Sequence, residues 1–424
     1  MSSSDTIAAI ASAPGRGGVA VVRVSGPDAW GVAAKVTGRP IGDEQVGRFF
    51  FSTFQDADSG LVLVFKGPRS YTGEDVVEFQ GHGGSVAPRR VLAACFGAGA
   101  RLARRGEFTE RAFLNGKLDL AAAEAVIDLV DARTDRAADE AQARLRGALS
   151  SRYESLYAEA LELSSEMENL LDVSEDELPA GTMGRMAAGI ENLRRRIDRL
   201  IATGREGRLL REGALVVLAG APNAGKSSLM NALLGEGRAI VSDEAGTTRD
   251  TIEEGLDIDG WPIRLVDTAG LRQTSNAVEA EGVTRAESLI RKADLVVALD
   301  CDFPGALRIH AKCDLDDEGQ RRSSGNVLRI SSKTGEGLAA LKREIVKRLV
   351  ALAAKGSEEV ADVTARQIAL LERAAHALDG MVPSDPVLVA NALRTAAEAI
   401  GEILGKTYSS DLLDALFSRF CVGK

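Results

Sequence analysis

The first part of the chain alternates short apolar runs with glycine turns. The runs are GVAVVRVSG, GRFFFSTF, LVLVFKGP and DVVEFQGHGG. Their length and their β-branched and aromatic residues are typical of strands joined by turns. We therefore predict that residues 1–118 form an α+β domain.

Apolar residues adopt helical spacing from Leu118 onward. Helix formers are abundant up to about residue 210, with one break at LPAGTMG, and residues 355–424 again show amphipathic helical stripes. We interpret residues 119–210 and 355–424 as two parts of one helical domain. Two separate helical units are the alternative.

Strand-like apolar runs return between the two helical segments. ALVVLAG, PIRLVDTAG and ADLVVALD lie within residues 211–354 and are separated by helical stretches, as in an α/β domain. The predicted fold class is therefore a multidomain α/β and α+β protein, in which the α/β domain is inserted into a discontinuous helical domain. A length of 424 residues fits more than one core.

Composition excludes several functional classes. The chain has 62 acidic and 52 basic residues, so its net charge of -10 argues against non-specific binding to nucleic acid. The four cysteines show no Cys-x-x-Cys spacing, so we expect no zinc site and no disulfide framework, and a reducing, cytoplasmic compartment. No apolar run approaches the ~18 residues of a spanning helix, so we expect no membrane partner.

A phosphate-binding motif opens the α/β domain. GAPNAGKSS, which begins at Gly220, matches G-x-x-x-x-G-K-[ST] between a predicted strand and a predicted helix. Backbone N–H groups of such a loop wrap the α and β phosphates, the Lys226 ammonium reaches the β and γ phosphates, and the Ser227 hydroxyl can bind Mg²⁺. The motif predicts a P-loop that binds a nucleoside triphosphate.

Two later segments follow in the order found in translation-factor-like GTPases, which this domain resembles. GTTRD offers Thr248 to Mg²⁺ and the γ phosphate, while DTAG offers Asp267 to the metal's second shell and the Gly270 N–H to the γ phosphate. The residues expected at GTP are Asn223, Ala224, Gly225, Lys226, Ser227, Ser228, Ser242, Asp243, Glu244, Ala245, Gly246, Thr247, Asp267, Thr268, Ala269, Gly270, Lys312, Asp314, Ser331, Ser332 and Lys333.

The base-recognition segment departs from the usual Asn-Lys-x-Asp pattern. It is AKCD, in which Ala311 replaces the asparagine while Lys312 and Asp314 remain. The Asp314 carboxylate can accept hydrogen bonds from guanine N1–H and N2–H, which adenine does not offer. We therefore predict guanine selectivity with reduced affinity. The segment before AKCD is also short, so one strand or helix of the usual fold is expected to be trimmed.

Leu271 follows DTAG where Ras-like enzymes carry the glutamine that positions the attacking water. That water therefore needs another partner. In some GTPases of this class, a residue placed like Asn223 holds K⁺ where an arginine finger would otherwise neutralise the developing charge.

The chain as a whole resembles one family, the tRNA wobble-uridine modification GTPases (the MnmE or TrmE family). The matching stretches span Asp5 to Lys424. They are DTIAAIASAPGRGGVAVVRVSG, PRSYTGEDVVEFQGHGG, RRGEFTERAFLNGKLDLAAAEAVIDLV, GAPNAGKSSLMNALL, AIVSDEAGTTRD, DTAGLR and CVGK. The resemblance implies a folate-binding and dimerising domain at residues 1–118, a helical domain in two segments, and an inserted P-loop GTPase (G) domain.

The resemblance also implies how GTP is hydrolysed. It implies a homodimer whose G domains meet across their nucleotides when K⁺ is present, with Asn223, Ser242, Glu244 and Thr247 around the ion. Glu279 matches the water-orienting glutamate of the family. Its local pattern alone favours a solvated carboxylate on a helix face.

A second set of residues matches the family's folate site. Arg23, Glu78, Lys117 and Lys424 correspond to positions that contact a 5-formyl- or 5,10-methylene-tetrahydrofolate derivative. A folate carries a carboxylate tail that cations bind and a pterin ring that a carboxylate can hydrogen-bond. Cys421, in the CVGK segment, is either a nucleophile that adds to the uracil ring or a neutral packing residue.

The implied function is a potassium-dependent GTPase of tRNA modification. With an FAD-dependent partner of the MnmG or GidA kind, in a heterotetramer, it adds an aminomethyl or carboxymethylaminomethyl group to C5 of the wobble uridine of certain tRNAs. A tetrahydrofolate supplies the one-carbon unit. The alternatives are a GTP-binding switch or scaffold with weak hydrolysis, suggested by Ala311, and a ribosome-associated GTPase.

Overall fold

The computed structural model describes most of the chain, in eight segments. They are residues 5–171, 181–236, 238–240, 253–267, 287–316, 327–353, 363–381 and 385–424. The chain divides into two compact units. The amino-terminal unit comprises Met1–Ile127 and Gly401–Lys424, and the second unit comprises Asp128–Ile400.

The amino-terminal unit contains a six-stranded sheet in the order β3-β4-β5-β2-β1-β6. All neighbouring strands are antiparallel except β1 and β6. Alternate residues such as Val22 and Val24 point into a core under two helices, because successive side chains of a strand face opposite sides. The strands are β1 (Ile7–Ile10), β2 (Val19–Ser25), β3 (Phe49–Phe54), β4 (Asp58–Phe65), β5 (Val76–His82) and β6 (Arg101–Leu102), and the helices are α1 (Ala29–Thr37) and α2 (Ala87–Gly97).

Short helices complete this unit. Helix α3 (Glu107–Leu114) follows β6, and helix α4 (Leu120–Asp131) begins after it. Near the carboxyl end of the chain, helix α12 (Ser410–Phe417) packs against α3. Phe417 and Phe420 are buried there, so these two rings near the end of the chain belong to the core of this unit.

The second unit combines helices with a sheet. Its helices are α5 (Asp135–Leu145), α6 (Ala148–Leu171), α7 (Thr182–Glu212), α10 (Ala365–Ala377) and α11 (Pro386–Leu404). Helix α10 packs along α7, and the Tyr153 hydroxyl of α6 donates to Gln367 Oε1 of α10 at 3.0 Å. Helices from the two predicted helical segments are therefore in contact, while the predicted domain boundaries stay a prediction.

The sheet of this unit has seven strands in the order β13-β12-β11-β7-β10-β9-β8. The five strands from β13 to β10 are parallel, and β9 and β8 continue the sheet antiparallel. The elements are β7 (Ala214–Gly220), α8 (Lys226–Glu236), β8 (Arg238–Ile240), β9 (Glu253–Ile258), β10 (Trp261–Asp267), β11 (Leu295–Leu299), β12 (Leu307–Ala311), β13 (Leu328–Ile330) and α9 (Leu338–Ala353).

Strand β7 lies in the middle of this sheet and is buried along almost its whole length. That burial explains its continuous apolar sequence, because a central parallel strand is covered on both faces. The connection from β11 to β12, residues 300–306, contains no helix. This agrees with the shortness of the sequence before AKCD.

Helix α5 contacts the start of β10 through one cation and one aromatic ring. The Arg136 guanidinium lies over the Trp261 ring at 4.4 Å and also pairs with Glu206 of α7. A cation over an indole contributes about 1 kcal/mol. The helices and the sheet of the second unit are thus joined by a specific contact.

None of the helices in the described part of the chain is both long and apolar enough to cross a membrane.

Candidate functional site

The predicted P-loop lies between the end of β7 and the start of α8. Gly220 closes the strand, and a Cβ there would lie 2.9 Å from the Leu299 carbonyl oxygen of β11. Asn223 and Gly225 have positive φ values of 62° and 100°. The loop therefore needs glycine at its first position for space and at Gly225 for its backbone conformation.

Lys226 is held against the backbone of this loop. Its side chain is buried, with 4% of the residue exposed, and its ammonium donates to the carbonyls of Gly220 at 2.9 Å and Ala221 at 2.8 Å. A positive charge is thus fixed at the amino-terminal end of α8, where the helix dipole also favours an anion.

The oxygen atoms expected near the metal lie together. The Ser227 hydroxyl donates to Asp267 Oδ2 at 2.5 Å. Asp267 ends β10, beside β7 in the sheet, and is 2% exposed. One hydroxyl and one carboxylate are hard oxygen donors of the kind Mg²⁺ prefers, so these residues fit that ion.

The base-recognition residues lie beside the P-loop. Lys312 has a φ of 58°, and its ammonium donates to the Asn223 carbonyl at 2.7 Å. Asp314 Oδ1 accepts from the Ser331 hydroxyl at 2.7 Å, and that hydroxyl in turn accepts from the Thr334 N–H at 3.2 Å. The structure therefore brings the AKCD segment, the Ser331 turn and the P-loop together.

Ala224 and Ser228 belong to the described P-loop and to the first turn of α8, while Ser332 and Lys333 continue the Ser331 turn. The other predicted residues of this site lie outside the described residues, and their roles stay predictions. They are Ser242, Asp243, Glu244, Ala245, Gly246, Thr247, Thr248, Thr268, Ala269, Gly270 and Glu279.

The amino-terminal unit holds the predicted folate residues. Arg23 of β2 is the register partner of Glu78 of β5, and its Nε donates to Glu78 Oε1 at 2.8 Å. The guanidinium also lies over the rings of Tyr71 and Phe108, at 5.2 and 5.6 Å. Sequence reasoning missed these two aromatic residues, although Tyr71 lies in the stretch PRSYTGEDVVEF that carried the family resemblance.

The final residues of the chain are anchored through their backbone carbonyls. The Lys424 carbonyl accepts from the Phe108 N–H at 3.2 Å, and the Phe420 carbonyl accepts from Arg105 Nε at 2.9 Å. Gly423 has a φ of 101°, and a Cβ there would lie 2.3 Å from the Ile10 carbonyl oxygen. Only glycine fits this position without a displacement of the tail.

This anchoring brings the Lys424 side chain near Arg23. Burial lowers the pKa of the Lys424 ammonium, and the positive charge of Arg23 lowers it further. Lys117 is exposed, and its ammonium donates to the Pro68 carbonyl at 2.9 Å. The Cys421 side chain is exposed.

Together, the largely parallel sheet, the glycine-rich loop at the end of its central strand and the Ser227–Asp267 pair define a P-loop nucleotide-binding protein. Two family models match the chain: "GTP-binding protein TrmE N-terminus" over residues 6–117 and "MnmE helical domain" over residues 120–421. The chain belongs to the MnmE family of tRNA modification GTPases.

Curated relatives match over the whole chain. The tRNA modification GTPase MnmE of Dichelobacter nodosus is 42% identical over 459 residues, with 100% of each chain covered. That of Symbiobacterium thermophilum is 43% identical over 457 residues, with 99% of each covered. A crystal structure of the G domain of the T. maritima FeoB iron transporter is 29% identical over 32% of this chain and 98% of that chain, with a TM-score of 0.24.

The predicted family and fold class, with a TrmE-type amino-terminal domain, a helical domain and a P-loop G domain, are confirmed. The prediction of an enzyme of the GTP-hydrolase class is confirmed as well, and membership of this family implies GTP and Mg²⁺ binding.

Proposed function

We propose that the chain hydrolyses GTP in a potassium-dependent way and uses this cycle in the modification of tRNA. The observation that carries the proposal is the Ser227–Asp267 contact of 2.5 Å beside the buried ammonium of Lys226. The name "tRNA modification GTPase" of relatives that align over the whole chain supports tRNA as the substrate.

Lys226 carries the electrostatic part of hydrolysis. Its ammonium now donates to two loop carbonyls, and phosphate oxygens of GTP offer stronger acceptors at the same loop. The N–H groups of the loop and the amino-terminal end of α8 add further positive potential. Charge that develops on the phosphates during transfer is therefore stabilised by groups that are already in position.

Ser227 and Asp267 hold the metal site. The Ser227 hydroxyl and Thr248 would be the protein ligands of the ion, and the Asp267 carboxylate orients the Ser227 hydroxyl. Bound Mg²⁺ neutralises negative charge on the β and γ phosphates. The 2.5 Å contact with a buried carboxylate keeps the Ser227 oxygen in one orientation.

Asp314 selects guanine. The Ser331 hydroxyl donates to one oxygen of its carboxylate at 2.7 Å, which fixes the plane of the group. The carboxylate then accepts from guanine N1–H and N2–H. The hydrogen bond from Lys312 to Asn223 ties this loop to the P-loop, so base and phosphates are read by one connected structure.

Potassium and Glu279 replace the missing finger and glutamine. Asn223, Ser242, Glu244 and Thr247 hold the ion, and Glu279 accepts a hydrogen bond from the attacking water. Of this set, Asn223 is described, and its exposed side chain on a positive-φ residue is available for an ion. The G domains of two subunits meet at this point in the proposed homodimer.

A tetrahydrofolate derivative binds the amino-terminal unit. Arg23 and Lys424 supply cations, Glu78 supplies a carboxylate for the pterin, and Lys117 adds a third cation. The lowered pKa of Lys424 supports this, because an anionic group of the ligand would offset the burial and repulsion that the ammonium experiences. Cys421 is exposed and is the proposed nucleophile toward uracil.

The folate supplies the one-carbon unit, and an FAD-dependent partner completes the reaction at C5 of the wobble uridine. A second candidate function is a GTP-binding switch or scaffold with weak hydrolysis. Ala311 favours that candidate, because it lacks the asparagine amide of the usual base-recognition motif.

GTP and ATP turnover in KCl and in NaCl tests the first function. We expect GTP to be preferred and its turnover to rise at least tenfold in KCl, because a bound cation stabilises the transition state by more than about 1.4 kcal/mol. Asn223→Ala and Glu279→Ala should lose this stimulation, and Lys347→Ala on the exposed face of α9 should keep it. Slow turnover in both salts would favour the switch, and equal ATP turnover would exclude guanine selection.

Nucleoside analysis of bulk tRNA from a deletion strain tests the substrate. We expect the C5-modified wobble uridine to disappear and to return with the wild-type chain, but not with Cys421→Ser. Unchanged nucleosides in the deletion strain would instead support a ribosome-associated GTPase.

A further inference from the structure

One face of the G-domain sheet is built differently from an ordinary parallel sheet. Parallel neighbours are usually joined by a crossover of about a dozen or more residues, most often a helix. Here β11 and β12 are joined by residues 300–306 alone, without a helix. This connection therefore places no apolar helix over the two strands.

The side chains of β12 match this arrangement. Leu307 and Ile309 are buried on one face, while Arg308 and His310 lie on the other. His310 is the register partner of Arg329 on β13, so two basic groups are neighbours on that face. On this face, polar side chains form a layer at positions that would have to be apolar if a helix packed there.

His310 is the centre of this layer. Its Nδ1 lies 2.7 Å from Asp300 Oδ1, and its Nε2 lies 3.0 Å from Asp316 Oδ1. Ionised carboxylates only accept hydrogen bonds, so both ring nitrogens must donate, and only the imidazolium can do that. The geometry thus requires a protonated ring.

The two carboxylates stand at opposite ends of the base-recognition segment. Asp300 follows β11, and its Oδ2 also accepts from the Ala311 N–H at 3.3 Å. Asp316 follows AKCD and pairs with Arg329 at 2.6 Å. Lys312 and Asp314 lie between these two anchor points. The ring therefore spans the loop that contains both predicted guanine contacts.

We propose that the imidazolium of His310 positions the base-recognition loop for guanine, a role that neither the sequence motif nor the family names assign to it. The inference rests on the proposed GTP-binding function. We call the imidazolium bridge between Asp300 and Asp316 the brace. It acts where this chain has Ala311 and therefore no asparagine side chain. When the ring loses its proton, one of its two carboxylate contacts loses its hydrogen, and the ring no longer links the two ends of the loop.

The surroundings decide the direction of the pH dependence. The hydrogen bond to Asp316 raises the pKa of His310, burial opposes the increase, and the Asp300 contact adds to it. Among the described residues, the titratable and charged groups around the ring are Asp300, Cys301, Asp302, Arg308, Asp316 and Arg329.

Because the folded pKa is raised, the brace is complete below the ordinary histidine value of about 6.5. It is lost as the pH rises through the raised pKa. Nucleotide affinity should therefore be highest on the acidic side of this window.

Histidine NMR tests the linkage on the wild-type protein, and a variant is needed only to assign the signal of His310. The chain has three histidines, so their ring signals can be separated and that of His310 identified with His310→Gln. If protonation strengthens GDP binding about tenfold, GDP must raise the pKa of His310 by about one unit, because coupling between two binding events is reciprocal. An unchanged His310 titration with GDP would overturn the inference.

GDP titrations of wild type and His310→Gln between pH 6 and 9 give the matching affinity. The ratio of the two affinities cancels the titration of GDP itself. We expect about tenfold at pH 6, falling toward one as His310 loses its proton. His82→Gln is the matched control, since His82 Nδ1 also contacts a carboxylate, that of Asp58 at 2.7 Å, in the amino-terminal unit. A ratio that does not change with pH would contradict the inference.

Two further measurements separate the possible failures. If wild type binds ADP as tightly as GDP at pH 6.5, the proposed guanine function itself fails. If GDP is preferred but His310→Gln binds it equally at every pH, only the inference fails. Should His310→Gln not fold, Asp300→Asn replaces it and should move the pH midpoint downward, because one charge that favours the imidazolium is gone. An unmoved midpoint would overturn the proposal.

Discussion

The P-loop and the tail site each hold cationic side chains in a fixed position, but they are built in opposite ways. By tail site we mean Arg23, Glu78 and Lys424. The P-loop is one contiguous stretch between β7 and α8, and its cation is held by carbonyls of its own loop. The tail site draws on β2, β5 and the last residue of the chain.

This difference determines how each site can fail. A contiguous loop gets its shape from local backbone geometry, so a side-chain change should remove chemistry and leave the fold. An assembled site depends on contacts between distant segments, so it can be lost through structure while every ligand-binding side chain remains present.

The largest expected effect is a loss of chemistry at the P-loop. Lys226→Ala should lower GTP turnover about 10³-fold, since one preorganised charge at the phosphates is removed. The free energy of unfolding should change by only about 1 kcal/mol, because the ammonium donates to two carbonyls. Phosphate release measures the GTP turnover, and thermal unfolding measures the stability. Lys347→Ala is the control for both. Turnover within tenfold of wild type would contradict the electrostatic role.

The next effect is a loss of structure in the amino-terminal unit. Glu107 is 2% exposed and accepts hydrogen bonds from Arg101 at 2.8 Å and Arg111 at 2.9 Å. Glu107→Gln should lower the free energy of unfolding by about 3 kcal/mol, because one buried carboxylate loses its charge-assisted hydrogen bonds to two arginines. Arg111 keeps Asp5 as an ion-pair partner. Denaturant titration measures this loss of stability. The control is Glu110→Gln, which lies about one turn further along α3. Equal stability of the two variants would show that the network is not needed.

The same network gives a pH dependence. Burial pushes the pKa of Glu107 upward, but the hydrogen bonds from Arg101, the Arg104 N–H and Arg111 together lower it to about 2. A carboxyl group whose pKa is lowered in the folded state stabilises the protein at pH values above its ordinary pKa. This stabilisation is lost as the pH falls toward the folded-state pKa. Wild type should thus lose this contribution between about pH 4.5 and 2, and Glu107→Gln should not.

The smallest effect concerns the tail site itself. Gly423→Ala leaves Arg23, Glu78 and Lys424 unchanged but forces the tail away from Ile10, at a cost of about 2 kcal/mol. Binding of a tetrahydrofolate, measured by calorimetry, should weaken by roughly tenfold or more. Gly84→Ala is the matched control, since its φ of 96° is similar but no atom lies within 4 Å of the added carbon. Equal binding by both variants would mean that tail position does not matter.

Sequence predicted these two sites to different depths. The P-loop could be predicted from local sequence, because Gly220, Lys226 and Ser227 all lie in or beside the one loop that joins β7 to α8. The hydrogen bond from Lys312 to Asn223 could not be predicted, since it depends on the order of strands in the sheet. The stacking of Arg23 on Tyr71 and Phe108 depends likewise on register and on long-range packing.

His310 shows the same limit from another side. A single histidine before AKCD carries no motif, and its meaning arises only when the short β11–β12 connection brings Asp300 to one side of its ring. The family resemblance supplied residues such as Arg23 and Lys117, whose local sequence pattern is that of ordinary surface positions. The roles of the residues outside the described segments, including Glu279, still rest on that resemblance.

Strand β10 connects the Ser227–Asp267 contact to the helices of the second unit. At one end Trp261 lies against Arg136 of α5, and at the other Asp267 holds the Ser227 hydroxyl. A strand of seven residues is about 23 Å long and, hydrogen-bonded on both sides, cannot shorten or stretch. A shift of Asp267 along the strand axis is therefore a shift of Trp261 against the helices. The Ser227–Asp267 contact and the Arg136–Trp261 contact therefore lie on the same strand, and a displacement at one end of the strand reaches the other.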